Sequence, residues 1–155
     1  MGRVEYWHDP AAPASNSLVP ASGVLAVNDR GEILLQRRRD TGQWAIPMGR
    51  QQLGETITEC AIRETKEETG VDVEITGLVG IFSDPSHIVA YADGEVRQEY
   101  EVTLLGRPVG GAPGATAEAD DVRWVRPDEL DALDMHPTMR RQIACYLNRA
   151  YPHLD

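Results

Sequence analysis

Apolar residues fall in short, often alternating runs along most of the chain, the pattern of half-buried strands. SGVLAV, then NDRG, then EILLQRRR form two β-rich runs around a turn containing Gly31, which predicts a hairpin. VDVEITGLVGIFS, SHIVAYAD and EVRQEYEVTLLGRPV predict further strands, and VRWV a short one after the loop GGAPGATAEAD. A helix is expected from about Thr56 to Thr69, stopped by Gly70, a residue suited to the position just past a helix end. Pro127 opens a short helix, PDELDAL. Pro137 opens a last one, with Met139, Ile143, Tyr146, Leu147 and Ala150 approximating one apolar face. Residues 1–17, with PAAPAS, read as an extended arm with Tyr6 and Trp7 as docking points, leaving 18–155 as the folded domain. Strands with one internal helix and helices at the end indicate an α/β or α+β sheet with helices packed on it.

The internal helix breaks the usual rule for a packed face. Its stripe runs Ile57, Cys60, Ala61, Glu64, Glu67, Glu68, Val71, apolar at both ends with three glutamates between. Continuity with the apolar residues turns these acids towards the body of the protein, while Thr58, Lys66 and Thr69 fall on solvent faces. At ~5 Å and an effective dielectric of ~20, each pair of carboxylates repels by roughly 3 kcal/mol. Arg63 can pair with Glu59 or Glu67, but exposed helix pairs contribute only about 0.3–0.5 kcal/mol. A divalent, oxygen-seeking cation offsets the cluster, and Mg²⁺, with Mn²⁺ as a substitute, suits carboxylates, retained waters and phosphate oxygens. Zinc lacks histidines or cysteines at suitable spacing nearby. Before the helix, Gly49 can turn its carbonyl towards such an ion. Glu55 has two readings, helix-end stabilisation and metal binding.

Composition narrows the partners. The net charge of −10, from 25 acids against 15 bases, argues against a broad nucleic-acid-binding surface, and an anionic substrate would be repelled unless a cation or a local cluster of arginines offsets the field. No apolar run reaches membrane-spanning length, and MGRVEYWHDPAAPASNS lacks the apolar core of a secretory signal. Cys60 and Cys145 are far apart in sequence and read as reduced thiols in the cytoplasm.

These residues carry a resemblance to the Nudix hydrolases, whose box is G-x5-E-x7-R-E-U-x-E-E-x-G-U, with U a bulky apolar residue. Gly49, Glu55, Arg63, Glu64, Glu67, Glu68, Gly70 and Val71 stand in register with it. EILLQRRR, QWAIPMG and VRWVRPDEL resemble the family's flanking segments, so the similarity spans about Leu18 to Leu147. Thr65 occupies an apolar position of the box, and Met48 stands where many members have a second glycine. Gln51 and Gln52 replace a frequent apolar–glutamate pair, removing a carboxylate that helps bind metal in some members.

The resemblance implies an α/β/α sandwich around a mixed sheet, with the box as a loop–helix–loop. It implies Mg²⁺-dependent cleavage of a nucleoside diphosphate linked to another moiety, a small-molecule nucleotide rather than nucleic acid. Glu64, Glu67 and Glu68 would hold metal, with the Gly49 carbonyl and an acid from a later loop, Glu118, completing the set. Glu64 is the candidate general base, with Glu67 beside it, and Arg63 orients the glutamates. Glu99 and Glu101 compete with Glu118. Arg38 and Arg97 are candidate substrate contacts, and Trp44, His87, Tyr91 and Tyr100 candidate stacking partners for a base. Pro85, fifteen residues after Gly70, is near a spacing associated with ADP-ribose pyrophosphatases, which inclines the substrate towards nucleotide sugars over nucleoside triphosphates. Similar proteins are commonly homodimers. Two other functions share the fold: a nucleotide-binding sensor, which degenerate acids would favour, and an isoprenyl diphosphate isomerase. The second requires a catalytic cysteine in a substrate loop, and Cys60 lies in the box helix.

Overall fold

The computed structural model describes residues 2–155. Strand β2 (Ser17–Ala26) is central to the main sheet. It pairs in parallel with β8 (Val96–Gly111), from Ser17 opposite Arg97 to Ala26 opposite Gly106, and antiparallel with β5 (Met48–Arg50). β8 also pairs antiparallel with β6 (Val71–Phe82) and β7 (His87–Tyr91). β1 (Arg3–Trp7) adds to β7, and β10 (His153–Leu154) adds in parallel to β6. A second sheet joins β3 (Ile33–Arg38) to β4 (Trp44–Ala45) and β9 (Ala119–Val125). The helices are α1 (Ile57–Thr69), a short 3-10 helix (Pro127–Ala132) and α2 (Pro137–Leu147).

Alternation along β2 and β3 sorts the core into two layers. Val24, Ala26 and Leu34 pack on the side of Ala61 from α1. Leu25, Ile33 and Leu35 pack with Met139 and Ile143 from α2. The architecture is therefore the expected α/β/α sandwich with a mixed sheet. Each fully buried leucine or isoleucine contributes about 1.5–3 kcal/mol relative to exposure.

The expected hairpin is corrected. Its turn forms: Gly31 adopts φ +76°, and the Asn28 side chain accepts the backbone N–H groups of Arg30 and Glu32, both at 3.0 Å. The strands then separate into different sheets, meeting only at the Val27–Ile33 bridge. β2 gives its ladder to β8 and β5, and β3 gives its ladder to β4 and β9, so partners distant in sequence outcompete the local one.

Helix α1 starts at a capping box. The Thr56 side chain accepts from Glu59 N–H at 3.1 Å, and the Glu59 carboxylate accepts from Thr56 N–H at 2.8 Å, a cap worth about 1 kcal/mol. Gly70 ends the helix at φ +80°, where a Cβ would approach Ala112 O to 2.8 Å. Thr69, expected on a solvent face, is fully buried. The segment after β8 covers it, with Gly114 N–H donating to Thr69 O at 3.1 Å. The predicted face of the last helix is also narrower: α2 ends at Leu147, which is exposed, and it buries Thr138, Met139, Gln142 and Ile143.

Residues 3–7 are an edge strand, β1, and Trp7 docks against His87 and under Arg141. A buried ion pair ties β1 to the sheet: Glu5 Oε1 lies 2.6 Å from His87 Nε2 and 3.3 Å from His136 Nδ1 at the start of α2. Burial works against charge on His87, but the Glu5 bond and surrounding carboxylates hold its pKa above the ordinary 6.5. Burial likewise opposes charge on Glu5, yet His87 and Arg3 hold it below 4.5. His87's contribution is complete below its unfolded pKa and fades as pH rises through the raised value. Glu5's is complete above 4.5 and fades as pH falls. Thermal melts of His87→Asn should show a loss of about 1.5–3 kcal/mol near pH 5.5, and a smaller loss near pH 8. An equal loss at both would refute the charged pair.

Candidate active site

The site is built where β5 and its following loop meet α1. Gly49, on β5, lies so close to Glu64 that a Cβ on it would fall 2.1–2.4 Å from the Glu64 carboxyl atoms. The other side of that carboxylate is held by Arg63, whose Nη1 donates to Glu64 Oε1 at 2.6 Å and Glu67 Oε2 at 3.2 Å. Arg63 Nη2 donates to Arg50 O at 3.2 Å and Glu55 Oε2 at 2.9 Å, and its Nε donates to Glu55 Oε1. Arg63 therefore takes Glu55 as its second anchor, while Glu59, one of its expected partners, is committed to the cap. The Arg63 bond, helped by Gln52 N–H, lowers the Glu55 pKa to about 2, and the same contacts raise that of Arg63. Glu55 is thus a positioning group: it fixes the arginine that fixes Glu64.

One turn on, Glu68 is 2% exposed and its Oε2 has no hydrogen-bond partner. Burial raises its pKa to about 9. Arg38 opposes the shift, and the charges of Glu64 and Glu118 add to it. Burial also raises Glu64, against the pull of Arg63 and with repulsion from Glu67 and Glu118. A cleft of about 290 Å³ lies beside these acids and brings most of the expected residues together. Gly49, Glu64, Glu68 and Glu118 line one part, and Arg38, Arg97, Glu99 and Glu101 line others.

Of the three consecutive arginines, Arg38 alone lines this cleft, where Asp40 holds it at 2.9 and 2.8 Å. Arg37 turns outward to Asp120 and Arg39 to Thr116 O, as strand alternation requires. Arg97 is 9% exposed, grips Glu95 and lies 4.8 Å over the Tyr91 ring.

Other expectations fall outside the cleft. The side chain of Glu67 is 57% exposed and does not line it, so the inward stripe is Cys60, Ala61, Glu64, Thr65 and Glu68. The Gly49 carbonyl receives the Cys60 thiol at 3.5 Å. Among the stacking candidates, Trp44 and Tyr91 line the cleft, whereas His87 is bonded to Glu5 and Tyr100 packs on the core beneath α1. Pro85 sits in the turn between β6 and β7, away from the lining residues. Glu5 and His136 reach the cleft without having been singled out. Their signal was absent from local sequence, because β1 pairing brings Glu5 there.

Oxygen donors dominate the acid side, and the unpartnered Glu68 oxygen needs a positive charge, so these residues fit Mg²⁺ better than a softer ion. The trio Glu5, His87 and His136 places two imidazoles and a carboxylate within 4.8 Å, but a hydrogen bond already joins His87 to Glu5, and His136 Nδ1 accepts from Thr138 N–H.

Helix-borne carboxylates and an arginine on one cleft are groups suited to phosphate chemistry. A NUDIX domain model matches residues 17–146. A MutT-like protein of Streptomyces ambofaciens is 33% identical over 128 residues, covering 81% of this chain and 75% of that protein. The nucleoside triphosphatase NudI of Escherichia coli K12 is 31% identical over 126 residues, covering 77% and 89%. A NUDIX hydrolase structure from Nitrosomonas europaea superposes with a TM-score of 0.68 at 22% identity, over 86% of this chain and 90% of that one. The chain belongs to the Nudix family and is a hydrolase of phosphoric anhydride bonds.

Proposed function

We propose that this hydrolase is a Mg²⁺-dependent pyrophosphohydrolase of nucleoside triphosphates, acting on small molecules rather than on nucleic acid. The observation that carries the reading is Glu68: a carboxylate 2% exposed, with a partnerless oxygen, on the wall of a cleft that also presents Arg38. Glu64, Glu68 and Glu118 would hold the ion, which when bound neutralises phosphate charge and activates water. Glu67, on the outer rim of α1, adds negative charge beside Glu64.

The remaining chemistry belongs to the protein. Glu64 accepts the proton of the attacking water. Its burial-raised pKa makes it a better base than an ordinary glutamate, and Gly49 and Arg63 fix its position. A water oxygen forms a bond to phosphorus as the bridging P–O bond breaks, and the departing phosphate carries away the bridging oxygen. Arg38, steadied by Asp40, meets the phosphate charge. Tyr91 offers a planar ring to the nucleoside, whereas Trp44, 6% exposed with Arg123 over its ring, belongs to the core.

Triphosphates are favoured over nucleotide sugars because Pro85, which inclined the sequence towards sugars, stands away from the cleft, and because NudI bears a triphosphatase name. A cytoplasmic location, with Cys60 and Cys145 as free thiols, and a homodimer carried over from the resemblance belong to the same reading. The test is release of phosphate, pyrophosphate or nucleoside monophosphate, with and without Mg²⁺, from nucleoside triphosphates, ADP-ribose, nucleotide sugars and dinucleoside polyphosphates. Turnover of triphosphates only with the ion is expected. Nucleotide binding with no turnover of any compound would return the sensor function in place of this one.

A further inference from the structure

Two carboxylate oxygens in the described residues are buried without a hydrogen-bond partner: Glu68 Oε2 and Glu99 Oε1. Both residues line the same cleft, the first from α1 and the second from β8. The proposed metal accounts for Glu68. Glu118 fills the later-loop place in the proposed metal set, which leaves Glu99, its competitor in the sequence, without a part in the phosphate chemistry.

Along β8, Arg97, Glu99 and Glu101 share one face by alternation and all reach the cleft, while Tyr100 between them turns to the core beneath α1. The neighbours of Glu99 are already committed. Arg97 grips Glu95 through Nε and Nη2, and Glu101 accepts from Gln142 Nε2, while the Thr103 hydroxyl donates to Gln142 Oε1. Glu5 is held by His87 and Arg3. Glu99 is 6% exposed, and its Oε1 is the member of this wall left open. A buried acceptor without a donor costs about 1–3 kcal/mol, and more when charged, so its persistence at a cleft wall points to a donor brought by the ligand.

We propose that Glu99 is a substrate-specificity residue that accepts two adjacent hydrogen-bond donors of the nucleoside, the N1–H and N2–H of a guanine base. The inference rests on the nucleotide-hydrolase reading above and deepens it. An ionised carboxylate offers acceptors only. Among the common bases, guanine alone presents two neighbouring N–H donors on one edge. Adenine and cytosine place a ring-nitrogen lone pair beside their amino group, and thymine and uracil flank their single N–H with carbonyls, so each sets a repulsion against Glu99. The vicinal hydroxyls of a ribose also supply adjacent donors. The base is favoured because the ring of Tyr91 lines the cleft with the Arg97 guanidinium stacked on it, a planar pair suited to a planar base. Burial and the neighbouring Glu101 raise the Glu99 pKa, the state of a carboxylate still lacking its donors.

The test compares dGTP with dITP, which differs only in lacking the N2 amino group, and with GTP, dATP and dTTP, in wild type and Glu99→Gln. Thermal melts accompany the assays to confirm that this isosteric change leaves the fold intact. Wild type should favour dGTP over dITP by about tenfold or more in kcat/KM, because loss of a ligand donor leaves a buried site acceptor unpaired. In Glu99→Gln that ratio should fall towards one through KM, with kcat little changed. Calorimetric binding of dGMP against dIMP, neither of which has an anhydride to cleave, should show the same loss of preference. That arm separates the two claims: absent turnover with intact dGMP preference would sink the hydrolase reading and leave Glu99 standing. An unchanged dGTP/dITP ratio in the variant would overturn the proposal. So would an equal fall for every base, or a variant that loses only its preference between GTP and dGTP.

Discussion

Glu68→Gln should lower kcat by two orders of magnitude or more, a loss of about 3 kcal/mol in transition-state stabilisation, while making the metal-free protein more stable than wild type. The two effects have one cause. Glu68 is 2% exposed with a partnerless oxygen, so the metal-free fold carries the cost of a desolvated carboxylate that glutamine, nearly the same shape and uncharged, does not impose. The gain expected from its removal is about 1–3 kcal/mol. Its pH dependence follows from the raised pKa. In the unfolded chain this carboxyl releases its proton near 4.5, whereas in the fold it keeps it to about 9. Across that interval folding takes up a proton, so wild-type stability falls as pH rises, and the advantage of the variant widens. Mg²⁺ should reverse the order, raising the melting temperature of wild type and leaving the variant nearly unmoved. A metal-free variant less stable than wild type across this range would refute the account of Glu68 as a strained, cation-seeking acid.

The box helix was legible in the sequence because its signals are local: a stop at Gly70 and an apolar stripe interrupted by acids. The pairing of β2 and β3 was not. Their turn has the right residues, but the choice of partner was decided by β8 and β9, roughly eighty residues away along the chain. The same limit explains the site. Glu64 and Glu68 are read from helical spacing, and Arg38 from the resemblance. Glu67 stands at the edge of that helical face, where a few tens of degrees separate the cleft from solvent, and the structure leaves it exposed. Glu5 enters the cleft only because β1 pairs with β7. Glu99 was visible as one of three alternating charges on β8, but its lack of a partner depends on how Arg97 and Glu101 are already engaged.

Gly49→Ala should lower kcat by about a hundredfold with little loss of stability, because it moves one carboxylate and nothing else. The added methyl would fall 2.1–2.4 Å from three atoms of the Glu64 carboxyl group, far inside any tolerated contact. Backbone retreat is blocked, since Gly49 pairs in register with Ser22 of β2, which is fully buried and bonded to Ile57 O at 2.7 Å. The atoms that can yield are the far end of the Glu64 side chain. Their displacement breaks the 2.6 Å bond from Arg63, although Arg63 keeps its bonds to Glu55 and the Arg50 carbonyl. The scaffold of the loop and helix therefore survives while the proposed base leaves its position. Unchanged circular dichroism and a melting point close to wild type, together with weakened Mg²⁺ binding and the fall in kcat, are the expected signature. A rate near wild type would mean that catalysis does not depend on where Gly49 and Arg63 hold Glu64, and the proton acceptor would then have to be sought among the other acids of the cleft, with Glu118 the first to replace.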